Sequence, residues 1–180
     1  MKSYFVNWNR LFLFCLGLAI ASSFSMKWME PDFIYNNNPV SILGLELFYT
    51  KEKIMEIFSG INDKVKTIIG YHLYFDFAFM AGVYPGIVCI CMLAAKRVKR
   101  KWLMRILVVF AFLQFFAWIF DIIENYHLLK WLKNPVIGNE FGFYHVVVYS
   151  KWSIALAGAG LAILVLTASL FKRKNRKSSD

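Results

Sequence analysis

The stretch ILVVFAFLQFFAWIFDIIEN, residues 106–125, decides the fold of this chain. Its first three quarters contain no charged side chain and a single polar one, Gln114. At about 1.5 Å per residue, a helix of this length spans about 30 Å, the thickness of the hydrocarbon core of a bilayer. We therefore predict a membrane-spanning helix whose last turn carries three polar groups, Asp121, Glu124 and Asn125.

Three further apolar segments have the same character, and the whole chain is unusually apolar. Hydrophobic residues make up 59% of it and aromatic residues 18%, whereas soluble domains are only about half apolar. We therefore predict an all-α, four-helix transmembrane bundle that forms a single integral membrane domain over residues 1–180. The predicted spans are approximately 11–26, 75–95, 106–125 and 152–171.

The first predicted span, residues 11–26, is short, and its Ala-Ile-Ala-Ser-Ser sequence resembles the small-residue end of a signal peptide. A cleaved signal peptide and a retained anchor helix both fit this pattern. The region before it carries only two basic residues, Lys2 and Arg10, which favours retention of the helix.

Basic residues are concentrated in two short segments beside the predicted spans. The loop 96–105 holds six Lys or Arg residues, and the tail 172–180 holds five. Because short basic segments stay in the cytoplasm, we predict that both termini are cytoplasmic and that segment 27–74 is exoplasmic. Contact of the basic flanks with anionic lipid accounts for the net charge of +10, so we predict no nucleic-acid partner.

The exoplasmic segment 27–74 contains the patterns of two short amphipathic helices. Thr50 is a predicted N-cap of the first helix, and Gly60 ends it. Apolar residues recur between them on one helical face, so we expect this helix to lie on the membrane surface. The second helix, 62–70, is predicted to lead directly into the second span.

Several polar residues of different spans lie at one predicted depth. Asp76, Glu124 and Lys151 are 19 to 21 residues from the nearest basic flank, and Asp121 is about 5 Å deeper. The helices are therefore expected to bring these groups together at the outer leaflet. The candidate catalytic residues are Asp76, Asp121 and Glu124, and the candidate binding residues are Asn125, Lys151, Tyr71, Tyr84 and Trp118.

Paired carboxyl groups suit general acid–base chemistry, because one can stay protonated while its neighbour is ionised. Lys151 would stabilise the ionised group or bind an anionic headgroup, and aromatic residues would line an apolar pocket. A carboxylate in the hydrocarbon costs about 2.5–3.5 kcal/mol, so it is normally paired or functional. We therefore predict binding or transformation of a lipid-like molecule, with membrane lipid as the partner.

Two other interpretations of the same residues stay open. In one, the acidic residues and Lys151 form a network that holds the helices together in a non-catalytic structural or accessory protein. In the other, Asp76 and Glu124 have no role beyond marking the ends of their helices in the headgroup region. An ion-coupled transporter is a further alternative, but no inverted repeat and no acidic residue in the cytoplasmic half of any span supports it.

Metal and cofactor sites have weak sequence support. Glu124 and His127 form a Glu-x-x-His pair, and His72 precedes Asp76 by one helical turn. Such short pairs are common in helices, so we predict no metal and no cofactor. The cysteines lie inside apolar runs without the spacing of a zinc site or a disulfide framework, and we interpret them as small buried hydrophobes: Cys15, Cys89 and Cys91.

The region from Tyr49 to Trp152, over half of the chain, resembles an uncharacterised family of small bacterial four-helix membrane proteins. The matching elements are Tyr49-Thr50-Lys51-Glu52, Tyr71, Asp76, Tyr84-Pro85, the D-x-x-E-N motif Asp121-Ile122-Ile123-Glu124-Asn125, and Lys151-Trp152. The proline is displaced from the family's usual position nearer the aspartate, and the three histidines are outside the pattern. The resemblance implies a multi-pass protein of a bacterial inner membrane and supplies no activity.

A more distant similarity is to the emopamil-binding and sterol-isomerase superfamily. It is architectural: a small helical bundle, a helical segment between the first two spans, and acidic residues near a lipid pocket. This likeness favours the hypothesis of a lipid ligand, but fold alone does not carry function and no residue role transfers from it.

Overall fold

The fold is almost entirely helical, as the sequence predicts. A computed structural model describes the backbone of residues 7–177 and the side chains up to residue 171. Four helical segments are long and apolar enough to cross a membrane: Trp8–Asp32, Asp63–Arg97, Lys101–Lys133 and Glu140–Phe171. The elements in chain order are α1 (Trp8–Met29), a 3₁₀ turn (Glu30–Asp32), β1 (Ile34–Tyr35), β2 (Asn38–Pro39), a π-helical segment (Gly44–Phe48), α2 (Lys51–Gly60), α3 (Asp63–Arg97), α4 (Lys101–Lys133) and α5 (Glu140–Lys177).

The long helices extend beyond the predicted spans because their polar ends also satisfy the rules of helix formation. The predicted helix 62–70 is the first part of α3 rather than a separate element. Asn62 caps it, since its Oδ1 accepts a hydrogen bond of 2.9 Å from the backbone N–H of Val65. The candidate residues of α3 therefore lie well inside a continuous helix.

Residues 30–62 form a compact cap at one end of the bundle. The predicted N-cap of α2 is confirmed, because Thr50 Oγ1 accepts from the N–H of Lys53 at 3.3 Å, and α2 ends at Gly60. The pair β1–β2 was not predicted; Asn36 and Asn37 close it with φ angles of 48° and 60°. Asparagine tolerates this left-handed region, which two-residue hairpin turns require.

The cap has its own apolar core, which binds it to the bundle. The buried face of α2 packs with side chains from the neighbouring ends of α3, α4 and α5. Tyr144 of α5 also donates a hydrogen bond of 3.2 Å to the carbonyl oxygen of Leu45. The largest members of this core are Phe33, Ile54, Ile57, Phe58, Ile69, Trp131 and Tyr144. The π-helical segment is therefore fixed over the bundle rather than lying loosely above it.

Helices α3, α4 and α5 pack against one another, whereas α1 packs mainly on α3. The contact between α1 and α3 depends on Gly82, where an added Cβ would lie 2.6 Å from the backbone N of Ala19 and 2.8 Å from the carbonyl oxygen of Cys15. Since α1 and α5 do not pack closely, a groove runs between them with α3 as its floor. We call this the α1–α5 groove.

Candidate functional site

Lys151 is the centre of a buried group of charges. Its Nζ lies 2.6 Å from Asp121 Oδ1 and 2.6 Å from Glu124 Oε2. The side chains of these three residues are only 7%, 5% and 0% exposed. Asp121 and Glu124 are one turn apart on α4, and Lys151 follows the first turns of α5, so the helix packing itself brings the ions together.

Two hydrogen bonds extend this group to α3. Tyr84 donates from its hydroxyl to Asp121 Oδ2 at 2.8 Å, and Asn125 donates from Nδ2 to Asp76 Oδ2 at 2.6 Å. Neither oxygen of Glu124 has a hydrogen bond to a residue that the structure describes, although Oε2 is in ion-pair contact with Lys151. Helices α3, α4 and α5 thus all contribute side chains to the site.

Glu46 of the π-helical segment is a member of the site that the sequence analysis missed. Its Oε2 lies 3.6 Å from Lys151 Nζ and accepts a hydrogen bond of 3.2 Å from Trp152 Nε1. Burial raises the pKa of Glu46 above its usual value, and the nearby Lys151 ammonium opposes this rise only in part. The sequence signal that could have identified it is an isolated acidic residue within the otherwise uncharged run SILGLELF, residues 41–48.

We call Glu46, Asp76, Asp121 and Glu124 together with Lys151 the acidic cluster. It holds four carboxyl groups and one ammonium group. Desolvation makes uncompensated charge costly, so such a site must hold protons on some carboxyl groups or accept positive charge from a ligand. Either property is useful for binding or for proton transfer.

The acidic cluster opens into the α1–α5 groove, a cavity of about 420 Å³. Glu46, Asp76, Asp121 and Lys151 line it at the end nearer the cap. The remaining wall is mostly apolar, and Leu43 and Leu156 at its edge are 49% and 63% exposed. Other apolar lining residues are Met26, Ile42, Phe79, Val83, Ile87, Ala155 and Ala159, and polar side chains that also line it are Lys27, Glu30, Ser41 and His72. The groove therefore has a polar end and an apolar length, open between α1 and α5.

Two predicted binding residues lie away from this arrangement. Tyr71 is 57% exposed on the outer side of α3, whereas the next residue, His72, is on the buried side of the helix. Trp118 stacks on Tyr84, with ring centroids 6.4 Å apart, and lines a separate apolar cavity between α3 and α4. Tyr84 lines both cavities and so separates them.

The two metal-binding pairs of the sequence do not assemble. His127 Nδ1 lies 2.8 Å from the carbonyl oxygen of Ile123, and its ring packs against Trp131 and Tyr144. His72 lines the groove, but among the described residues no three His, Cys, Asp or Glu side chains are arranged to hold a metal ion.

Comparisons with known proteins give no match: no protein-family model, no curated protein and no solved structure is significantly similar to this chain.

Proposed function

We propose that this protein binds a membrane amphiphile in the α1–α5 groove, with the polar end of the ligand at the acidic cluster. The observation that carries the proposal is the junction of a charged, buried cluster with a long apolar groove that is open toward one side of the bundle. Ligand sites are commonly apolar cavities of about 300–1,000 Å³ with a few convergent polar groups.

The hydrogen-bonding groups of the cluster favour a ligand that donates. Lys151, Tyr84 and Trp152 already direct their polar hydrogens at carboxylates of the chain. Asp76 lines the groove, is partly exposed to it, and has Asn125 as its hydrogen-bond partner among the described residues. A carboxylate has about four acceptor sites, so Asp76 retains capacity for a ligand.

A protonated amine fits this environment better than an anionic headgroup. Three more carboxyl groups than ammonium groups surround the polar end of the groove, and like charges repel. This revises the sequence-based expectation that Lys151 binds an anionic headgroup, because its ammonium is already shared among Asp121, Glu124 and Glu46. The proposed ligand is therefore a long-chain amine or a lipid with an amine at its polar end.

The proposed membrane topology places the acidic cluster in the outer leaflet of a bacterial inner membrane. Four spans bring the start of α1, the loop between α3 and α4, and the end of α5 to the same end of the bundle. The basic loop 96–105 lies at that end, and its charge supports a cytoplasmic location. The cap and the acidic cluster would then face the other side.

A structural network is the second candidate function, because the same contacts join separate elements. Lys151 of α5 contacts Asp121 and Glu124 of α4, and Asn125 of α4 contacts Asp76 of α3. Truncating a buried ion pair is strongly destabilising whether or not the site binds a ligand. A test of function must therefore use a variant that leaves the ion pairs of Lys151 with Asp121 and Glu124 in place.

Asp76→Asn meets this condition, since it removes one negative charge from the groove and touches no atom of Lys151. Purified protein would be titrated with tetradecylamine and with tetradecyl phosphate, and binding would be followed by native mass spectrometry and by the shift in melting temperature. We expect the amine to bind at least about tenfold more tightly than the phosphate, a difference of about 1.4 kcal/mol.

Asp76→Asn should abolish most of this preference for the amine. Glu56→Gln is the matched control, because Glu56 is an acid exposed on α2 and paired with Lys53 at the surface. Equal binding of amine and phosphate, or an unchanged preference in Asp76→Asn, contradicts the proposal. A melting temperature lowered as much by Asp76→Asn as by loss of Lys151, without any ligand effect, supports the structural network instead.

A further inference from the structure

We infer that His72 is a second polar contact for the ligand in the α1–α5 groove, and that it takes a hydroxyl group next to the amine. This inference rests on the proposed function, and it adds the substrate class: a long-chain amino alcohol. The histidine belongs neither to the acidic cluster nor to the motifs that the sequence analysis used for the site.

His72 is buried without a protein partner for one of its ring nitrogens. The residue is only 2% exposed, and Nδ1 has no hydrogen-bond partner among the described residues. Buried polar atoms are nearly always hydrogen-bonded, so an imidazole without a partner beside a cavity is unusual. Nδ1 is enclosed, and no described residue is hydrogen-bonded to Nε2 either, so a ligand hydroxyl in the α1–α5 groove, which His72 lines, would pair with Nε2.

The ring of His72 is held in place by the cap. Phe33 meets it edge to face, with ring centroids 5.3 Å apart and an interplanar angle of 72°. Phe33 is itself fully buried in the core of the cap. A recognition group must be fixed before the ligand arrives, and this packing limits rotation of the imidazole.

The position of His72 relative to Asp76 sets the order of the two polar groups in the ligand. The residues are four apart on α3, so they share a helical face and are separated by about 6 Å along the axis. His72 is nearer the cap, and the apolar residues Phe79 and Val83 follow Asp76 in the other direction. The groove thus presents a hydroxyl contact, an amine contact and an apolar wall in that order.

A hydroxyl suits His72 better than a second charge. A hydroxyl can both donate and accept, so it pairs with the imidazole in either tautomer. An anionic group at this point would face Asp76 and Glu30, which also line the groove. The basic side chains of the groove wall, Lys27 and Lys151, are already in ion pairs with acidic residues of the chain.

Affinity ratios between two ligands test this inference separately from the proposed function. The probes are tetradecylamine and an amino diol of equal chain length, with hydroxyl groups on the carbons that flank the amine-bearing carbon. We expect the wild-type protein to bind the amino diol about fivefold to tenfold more tightly, the usual effect of one hydrogen bond. His72→Phe should remove this ratio, so that the variant binds the two probes with affinities within about twofold of each other.

His145→Phe is the matched control. His145 is also a histidine with an unpartnered buried nitrogen, but it packs against Phe141 and Tyr149 on α5 and does not line the groove. It should leave the ratio unchanged. A second measurement needs no variant: the ring ¹⁵N resonances of His72 should move on addition of the amino diol and not of the amine, with His145 as the internal reference.

The outcomes separate the two proposals. If tetradecylamine itself does not bind, the proposed function fails and this inference fails with it. If the amine binds but the amino diol has no advantage, or keeps its advantage in His72→Phe, only the inference about His72 is overturned. Unmoved His72 resonances in the presence of bound amino diol overturn it as well, whatever the stability of the variant.

Discussion

Replacing Lys151 by methionine tests how the bundle tolerates its buried acids. Methionine keeps the length and the helix propensity of lysine but removes the ammonium group. Lys151 is 6% exposed, and two carboxylates lie 2.6 Å from its Nζ. Removing one partner of a buried ion pair typically costs about 3–5 kcal/mol, because the other partner is left uncompensated. For a chain of this size, that corresponds to a melting temperature lower by about 6–20 °C.

Thermal unfolding in detergent, followed by tryptophan fluorescence, measures this loss. Lys133→Met is the control, since Lys133 is exposed at the end of α4. Glu124→Gln provides a second test when it is made in both backgrounds. It should destabilise the wild-type protein, where it breaks the ion pair with Lys151. It should stabilise Lys151→Met, where it removes a fully buried unpaired carboxylate. A loss below about 1 kcal/mol in Lys151→Met, or the same sign for Glu124→Gln in both backgrounds, would refute the reasoning.

Two further predictions concern packing and pH. Gly82→Ala should destabilise the protein by about 1–3 kcal/mol in denaturant unfolding, because the added Cβ meets the backbone of Ala19; Gly160→Ala, which meets nothing within 4 Å, should be neutral or stabilising. Burial raises the pKa of Glu46 above its ordinary value of 4.5. The folded state therefore holds this proton more tightly than the unfolded state does. The free energy of unfolding should fall as the pH rises from 4.5 through the raised pKa. Glu46→Gln should therefore flatten the dependence of melting temperature on pH in this range, and an unchanged slope contradicts the assignment.

The spans and the common depth of the polar groups were predictable because both depend on the constant rise of a helix. Counting from the basic flanks placed Asp121, Glu124 and Lys151 at similar levels, and the structure brings these three within ion-pair distance. Apolar runs and caps likewise predicted the four long helices and α2. Such features are local, so tertiary packing does not change them.

Rotation of each helix and the path of the cap were beyond the sequence. Tyr71 and His72 differ by one residue, or about 100° on the helix, and only packing decides that His72 faces the groove and Tyr71 does not. Trp118 faces the opposite cavity for the same reason. Glu46 reaches Lys151 because the cap core holds the π-helical segment over the bundle, a contact between residues far apart in the chain.

The order of the polar groups along the chain has a consequence for membrane insertion. The hairpin of α3 and α4 is synthesised before α5 and carries Asp76, Asp121 and Glu124 into the bilayer without the ammonium group of Lys151. Lys151, thirty residues beyond Asp121, arrives only with α5. Unpaired acids within a membrane are costly. Entry of the last helix is therefore the step at which the nascent chain gains the ammonium group that pairs with Asp121 and Glu124.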